Sequence, residues 1–224
     1  MCYTGNGGNC MPIVFQILPA VCFAADAVLH LIACFRRMLW LRRVTKVLLM
    51  PLLAVLYALA APAPHAFVIV ALVCGCLGDL FLLFQKRHMT MLLGMCSFAL
   101  GHVFYIGAML TTKPGFHLSI ALCVLIAVGW MLFVVKKLLP TAPKPLRKPG
   151  FFYALLLSGT CLSALYLLLS TQSLPYLLSF AGGCLFMISD TILTGQKYRK
   201  ETKHGNFYVM LTYIFAQQIG RAHV

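Results

Sequence analysis

The sequence predicts an all-α polytopic membrane bundle of about eight transmembrane helices, the last of them cut short. Three observations predict it. Of the 224 residues, 62% are hydrophobic and only 10% are charged, against about 45–50% and about 25% in soluble domains. The apolar residues gather in runs close to the ~20 needed to span a bilayer. The runs also lack the alternation of a membrane barrel, and lipid admits only helices or closed barrels. A soluble globular enzyme and a disordered chain are both excluded.

Apolar runs bounded by charge, Pro or Gly place the helices at 11–35, 44–61, 66–84, 89–110, 116–135, 151–169, 174–194 and from 206 onward. The first carries Pro19, and the second begins close to Lys46. Short loops join them, so the chain reads as one domain over 1–224.

The charge census supports this layout. The loop after helix 1 holds Arg36, Arg37, Arg42, Arg43 and Lys46, and the loop after helix 3 holds Lys86 and Arg87. The loop after helix 5 holds Lys136, Lys137, Lys144, Arg147 and Lys148, and the loop after helix 7 holds Lys197, Arg199, Lys200 and Lys203. The alternate loops hold only Lys113, and the tail holds Arg221. That asymmetry places the basic loops in the cytoplasm and both termini outside. The net charge of +14 therefore meets anionic headgroups in the lipid bilayer, and no nucleic-acid partner is expected. A bacterial inner membrane is the first expectation and the endoplasmic reticulum the second. No cleavable signal peptide is expected, because no basic region precedes the first run. The oligomeric state is not legible.

Eight of the ten cysteines fall inside apolar runs, with neither a CxxC pair nor a small secreted pattern, so no disulfide framework and no zinc are expected. The histidines show no paired ligand spacing. No metal and no cofactor are expected. Residues 219–224 read IGRAHV, the translation of a common sequencing-library adapter. They are read as a non-native tail that truncates helix 8.

An internal echo suggests two halves. Residues 78–86 read GDLFLLFQK and residues 189–197 read SDTILTGQK. Four-helix halves at 11–110 and 116–218 would be parallel repeats.

Three of the four acids, Asp26, Asp79 and Asp190, lie inside apolar runs, whereas Glu201 sits in a basic loop. An intramembrane charge costs at least ~2.5–3.5 kcal/mol and marks function by default. Asp79 and Asp190 each stand seven residues before a basic residue, Lys86 and Lys197, about 10 Å in from the basic border. The two carboxyls share a depth, and they form a pair if their helices meet. Such a pair holds one proton between its members in low dielectric, giving one acid and one base. This chemistry suits metal-free acid-catalysed hydrolysis. It equally suits a proton-coupled transporter, and in a non-catalytic membrane protein each Asp would only bond a neighbouring helix. A zinc hydrolase using His102 with the Asp pair is a further alternative. Asp26 stands alone, with His30 one turn later. His102 and Tyr105 share a face of helix 4. Lys46, at the border of helix 2, snorkels to the interface or binds a lipid phosphate.

At GDLFLL in helix 3, GMCSFALGHVFYI in helix 4, GGCLFMISDTIL in helix 7 and FYVMLTYIFAQQ in helix 8, the chain resembles the lysoplasmalogenase (YhhN) family. That family has G-D, F-x3-H-x2-Y, F-x-I-S-D and Y-x3-Q elements in this order. TKVLLMPLL, residues 45–53, resembles its helix 2, and the likeness runs from about Thr45 to Gln217. The resemblance implies hydrolysis of the vinyl ether bond of lysoplasmalogens, a lysophospholipid class, to a fatty aldehyde and glycerophosphocholine or glycerophosphoethanolamine. It implies Asp79 and Asp190 as the catalytic acid and base, in undecided order. His102, Tyr105 and Ser189 would support them, and Lys46 would bind the substrate phosphate.

Overall fold

The computed structural model describes residues 2–3, 11–12, 14–61, 64–84, 88–112 and 119–220. The expectations at Lys86, Arg87, Lys113 and 221–224 lie outside the described residues. A two-residue antiparallel pairing, β1 (Cys2–Tyr3) with β2 (Met11–Pro12), precedes the helices. The helices are α1 (Val14–Phe35), α2 (Leu39–Ala60), α3 (Ala66–Leu83), α4 (His88–Leu110), α5 (Ser119–Phe133), α6 (Lys144–Thr171), α7 (Leu174–Tyr198) and α8 (Gly205–Gly220). Among the described residues, seven spans, the last ending at Tyr198, are long and apolar enough to cross a membrane; α8 has 16 residues and is not among them. The chain is a multi-pass helical bundle.

Besides an apolar core, the bundle buries polar side chains and leaves large apolar ones outside. Asp26, His30, Thr45, Asp79, His102, Ser158, Thr160, Ser189 and Gln217 are buried, while Ile17, Val21, Val28, Leu122, Leu125 and Val128 are exposed. Lipid is as apolar as leucine, so helices gain little by hiding Leu or Val from it. They associate through close packing and interhelical hydrogen bonds instead.

Successive packing contacts run α1–α2–α3–α4–α6–α7–α8 and return from α8 to α1, closing a ring. α5 packs on α6 and buries Cys123, but the main core cluster draws on the other seven helices. α3 and α7 thus stand on opposite sides of the ring. Their carboxyls line a common interior cavity instead of a shared helix interface.

Several helices extend beyond the boundaries that charge suggests. α2 begins at Leu39, so Arg42, Arg43 and Lys46 ride on the helix instead of in a loop. α6 begins at Lys144 and includes Arg147 and Lys148, and α7 includes Lys197. Charge marks where the apolar core ends, but Lys and Arg are good helix formers and do not end a helix. α6, with 28 residues, is about 42 Å long and outruns a hydrocarbon core of ~30 Å.

α5 continues as a π-helical turn at Val134–Leu138 and a 3-10 turn at Leu139–Thr141. Pro140 explains the change. Its ring would clash with the carbonyl of Lys136, four residues back. The amide of Leu139 bonds Val134 O, five residues back, and Pro140 enters on the widened turn. Arg147 then donates to the carbonyls of Pro140 and Ala142.

Candidate functional site

Five polar side chains converge from five helices. Lys46 Nζ on α2 lies 3.1 Å from Asp79 Oδ1 on α3. Tyr213 on α8 donates to Asp79 Oδ2 at 2.7 Å. Tyr153 on α6 donates to Asp190 Oδ2 on α7 at 2.5 Å. Their helical positions explain the meeting. Lys46, Tyr153 and Tyr213 stand seven, nine and eight residues after the basic-end starts of their helices, and Asp190 stands eight before the end of α7. At ~1.5 Å per residue these four lie about 10–14 Å in from the basic ends of their helices, and Asp79, four residues before the end of α3, lies about 6 Å in.

Asp79, Asp190, Lys46, Tyr153, Tyr213 and Ser189 line one cavity of about 160 Å3. It runs from this polar group to Lys197, Tyr198 and the Leu138–Ala142 turn at the basic end, with Phe98, Leu157, Phe186 and Met210 on its apolar wall. Asp79 and Asp190 therefore share a cavity, and each is held by a tyrosine hydroxyl. Among the described residues, Asp79 is ion-paired to Lys46, whereas Asp190 takes its hydrogen bond from a neutral phenol. The sequence places Lys46 at a helix border facing the interface. The structure instead turns it inward onto a carboxylate.

The remaining candidates sit elsewhere. His102 hydrogen-bonds Thr160 Oγ1 on α6 at 3.2 Å, and its ring stands edge-on to Phe186 at 5.3 Å. It reaches Asp190 only through packing, since its ring lies 6.0 Å from that of Tyr153. Tyr105 lies 6.4 Å ring to ring from His102. Neither lines the cavity. Ser189 lines it but spends its hydroxyl on Val209 O at 3.0 Å, clipping α7 to α8. Asp26 is buried, and its Oδ2 has no hydrogen-bond partner among the described residues. His30, one turn later, turns to Thr45 Oγ1 at 2.7 Å and to Cys34 Sγ. Among the described residues, no three His, Cys, Asp or Glu side chains converge.

Tyr153 and Tyr213 are the site residues that the sequence reading misses as partners of the carboxyls. Tyr153 carries no local signal, being one of nine tyrosines in an apolar run. Tyr213 opens the Y-x3-Q element, and Gln217 hydrogen-bonds it, so that spacing was the available clue.

The sequence model of the YhhN family matches residues 41–219. The chain belongs to the YhhN family. The match begins at the second helix and takes in every residue of the polar group, while α1 falls outside it. No curated protein and no solved structure matches the chain. The fold of this YhhN chain brings its G-D, F-x-I-S-D and Y-x3-Q elements to one place, since Asp79, Asp190 and Tyr213 all line the cavity.

Proposed function

We propose that this YhhN protein is a lysoplasmalogenase, hydrolysing the vinyl ether of a single-chain ether phospholipid. One observation carries the reading: two carboxyls, Asp79 ion-paired to Lys46 and Asp190 hydrogen-bonded by Tyr153, line a single cavity with a largely apolar wall. Family membership is consistent with it.

The reading gives the two carboxyls different roles. Lys46 holds Asp79 as a carboxylate. Asp190 has Tyr153 on one oxygen and carries the proton on the other, facing the cavity. The vinyl ether's β-carbon takes that proton with the π electrons of its double bond, leaving an oxocarbenium ion. The Asp79 carboxylate stabilises this cation, as a glycosidase carboxylate does. Water adds to the cationic carbon and returns a proton to Asp190. The hemiacetal then transfers its hydroxyl proton to the glycerol oxygen, the C–O bond breaks, and aldehyde departs.

A single-chain lipid enters from the side between α5 and α7, whose contact is made at the Val134–Leu138 turn. The basic end faces the cytoplasm in this reading, so the substrate comes from the inner leaflet.

The test is aldehyde release by purified protein in detergent from choline and ethanolamine lysoplasmalogens, beside an ester-linked lysolipid, with and without chelator. Aldehyde from the vinyl ethers alone, resistant to chelator and lost in Asp190→Asn, supports the reading. A folded protein that releases none, or an active Asp190→Asn, overturns it. A proton-coupled transporter would instead carry substrate across vesicles uncleaved.

A further inference from the structure

We infer that the lipid-facing groove between α2 and α3, at the basic end of the bundle, is a site for one anionic phospholipid, with Arg43 on its headgroup and the groove's apolar floor along an acyl chain. The groove is separate from the cavity that holds the carboxyls. Its lining includes Trp40, Arg43, Val47 and Leu48 of α2 with Leu80 and Phe84 at the end of α3, and none of its lining residues lines that cavity.

Three observations carry the inference. The first is the order of side chains along the groove. α2 starts at Leu39 and α3 ends at Leu83, and the Lys46–Asp79 ion pair sets the two helices level with each other. Trp40 and Phe84 stand six and five residues beyond that pair on its basic side, and Arg43 stands three beyond it. Leu80, Val47 and Leu48 lie at the level of the pair and deeper. From Trp40 to Leu48 the groove runs about 12 Å along the helix axis. An aromatic and cationic mouth thus leads to an aliphatic floor, which is the order in which a phospholipid presents its headgroup and its chain.

The second is that the mouth is exposed and unengaged. Trp40 is 76% exposed and Phe84 64%. Among the described residues, the side chains of Trp40 and Arg43 make no hydrogen bond, ion pair or ring contact. Tryptophan at this level suits the headgroup boundary of a bilayer.

The third is charge. Residues 36–43 read RRMLWLRR, four arginines and no acid. Arg37 donates to Lys203 O, and Arg42 is half-buried, whereas Arg43 is exposed and lines the groove. A guanidinium matches phosphate geometry, and basic pockets between membrane helices take anionic headgroups. A zwitterionic headgroup would bring an ammonium to a segment of arginines that offers it no carboxylate. An anionic phospholipid brings none, so its headgroup is the better complement.

The chain holds two tryptophans, Trp40 and Trp130, so Trp130→Phe leaves Trp40 as the sole indole. The full chain carrying this change, purified in a phosphate-free non-ionic detergent, is titrated with phosphatidylglycerol and phosphatidylcholine of identical chains, brominated near the headgroup. A lipid seated in the groove quenches Trp40. Phosphatidylglycerol should reach half-quenching at a mole fraction about fivefold lower than phosphatidylcholine, the effect of one arginine at an anionic surface. Arg43→Gln should bring the two lipids together while phosphatidylcholine quenching stays as it was, which separates loss of the site from loss of fold. Arg43→Lys keeps the charge and should keep a preference. Lys148→Gln, which removes an equal charge from an exposed position near the start of α6, should leave the preference intact. Equal mole fractions for the two lipids overturn the inference and make the groove an ordinary lipid contact. A preference unchanged in Arg43→Gln overturns it too, and so does an equal loss in Lys148→Gln, which would assign the effect to the basic surface as a whole. Glycerol phosphate that displaces phosphatidylglycerol at the concentration at which the lipid binds overturns it in favour of a free-anion site.

Discussion

Lys46 Nζ and Asp79 Oδ1 form a 3.1 Å ion pair between α2 and α3, with side chains 18% and 4% exposed. Charges so far from water tolerate one another and little else. Removing one partner of a buried pair costs about 3–5 kcal/mol, because the other is left uncompensated. Lys46→Met and Asp79→Asn should each lower thermal stability in detergent by that order. The double variant should recover much of the loss, because no charge is then stranded. All three should be inactive. Additive losses in the double variant would show that the two charges do not interact.

The hydrogen bond from Tyr153 to Asp190 orients the proposed acid. A hydrogen bond to a charged group is worth about 1.5–3 kcal/mol, and Asp190 becomes charged as it gives up its proton, so Tyr153→Phe should lower kcat for aldehyde release by roughly ten- to a hundredfold. KM should hold, because the hydroxyl acts on Asp190 and not on the lipid. A raised KM at constant kcat would instead make Tyr153 a substrate contact.

The carboxyl pair was legible because acids are rare in lipid: three of only four lie in apolar runs, two at one depth. The bundle itself follows from the apolar runs. The partners were harder to read. Lys46 is an interfacial lysine as long as helix 2 is assumed to begin near residue 44, but the helix begins at Leu39, which carries Lys46 inward to the level of Asp79. Tyr153 is silent in sequence, since tyrosine suits apolar runs and interfaces alike. His102 shows the limit of a shared face. It does stand near Tyr105, but no spacing within α4 could announce that its ring would bond Thr160 of α6.

That bond gives a control. His102 and Thr160 join α4 to α6 away from the cavity lining. A net interior hydrogen bond contributes about 0.5–1.5 kcal/mol. Thr160→Val should therefore reduce thermal stability modestly while kcat stays within about a factor of two. A collapse of kcat without loss of fold would make the His102–Thr160 bond part of the reaction.

Gly78, the residue before Asp79, is where packing and chemistry meet. A Cβ at this position would lie 2.7 Å from Phe98 on α4, closer than carbon atoms tolerate, so the glycine lets α3 approach α4. Phe98 lines the cavity and stands edge-on to both Phe186 and Tyr213, at 6.0 and 6.3 Å. Tyr213 in turn holds Asp79. Gly78→Ala must push the Phe98 ring toward that tyrosine or spread the helices. Overpacking of this kind costs about 1–3 kcal/mol, and the same displacement should lower aldehyde release. Pairing it with Phe98→Leu removes the colliding ring and should restore much of the stability. If Gly78→Ala melts like the wild type and turns over normally, α3 and α4 are not held at the close approach that sets Phe98 against Tyr213, the partner of Asp79.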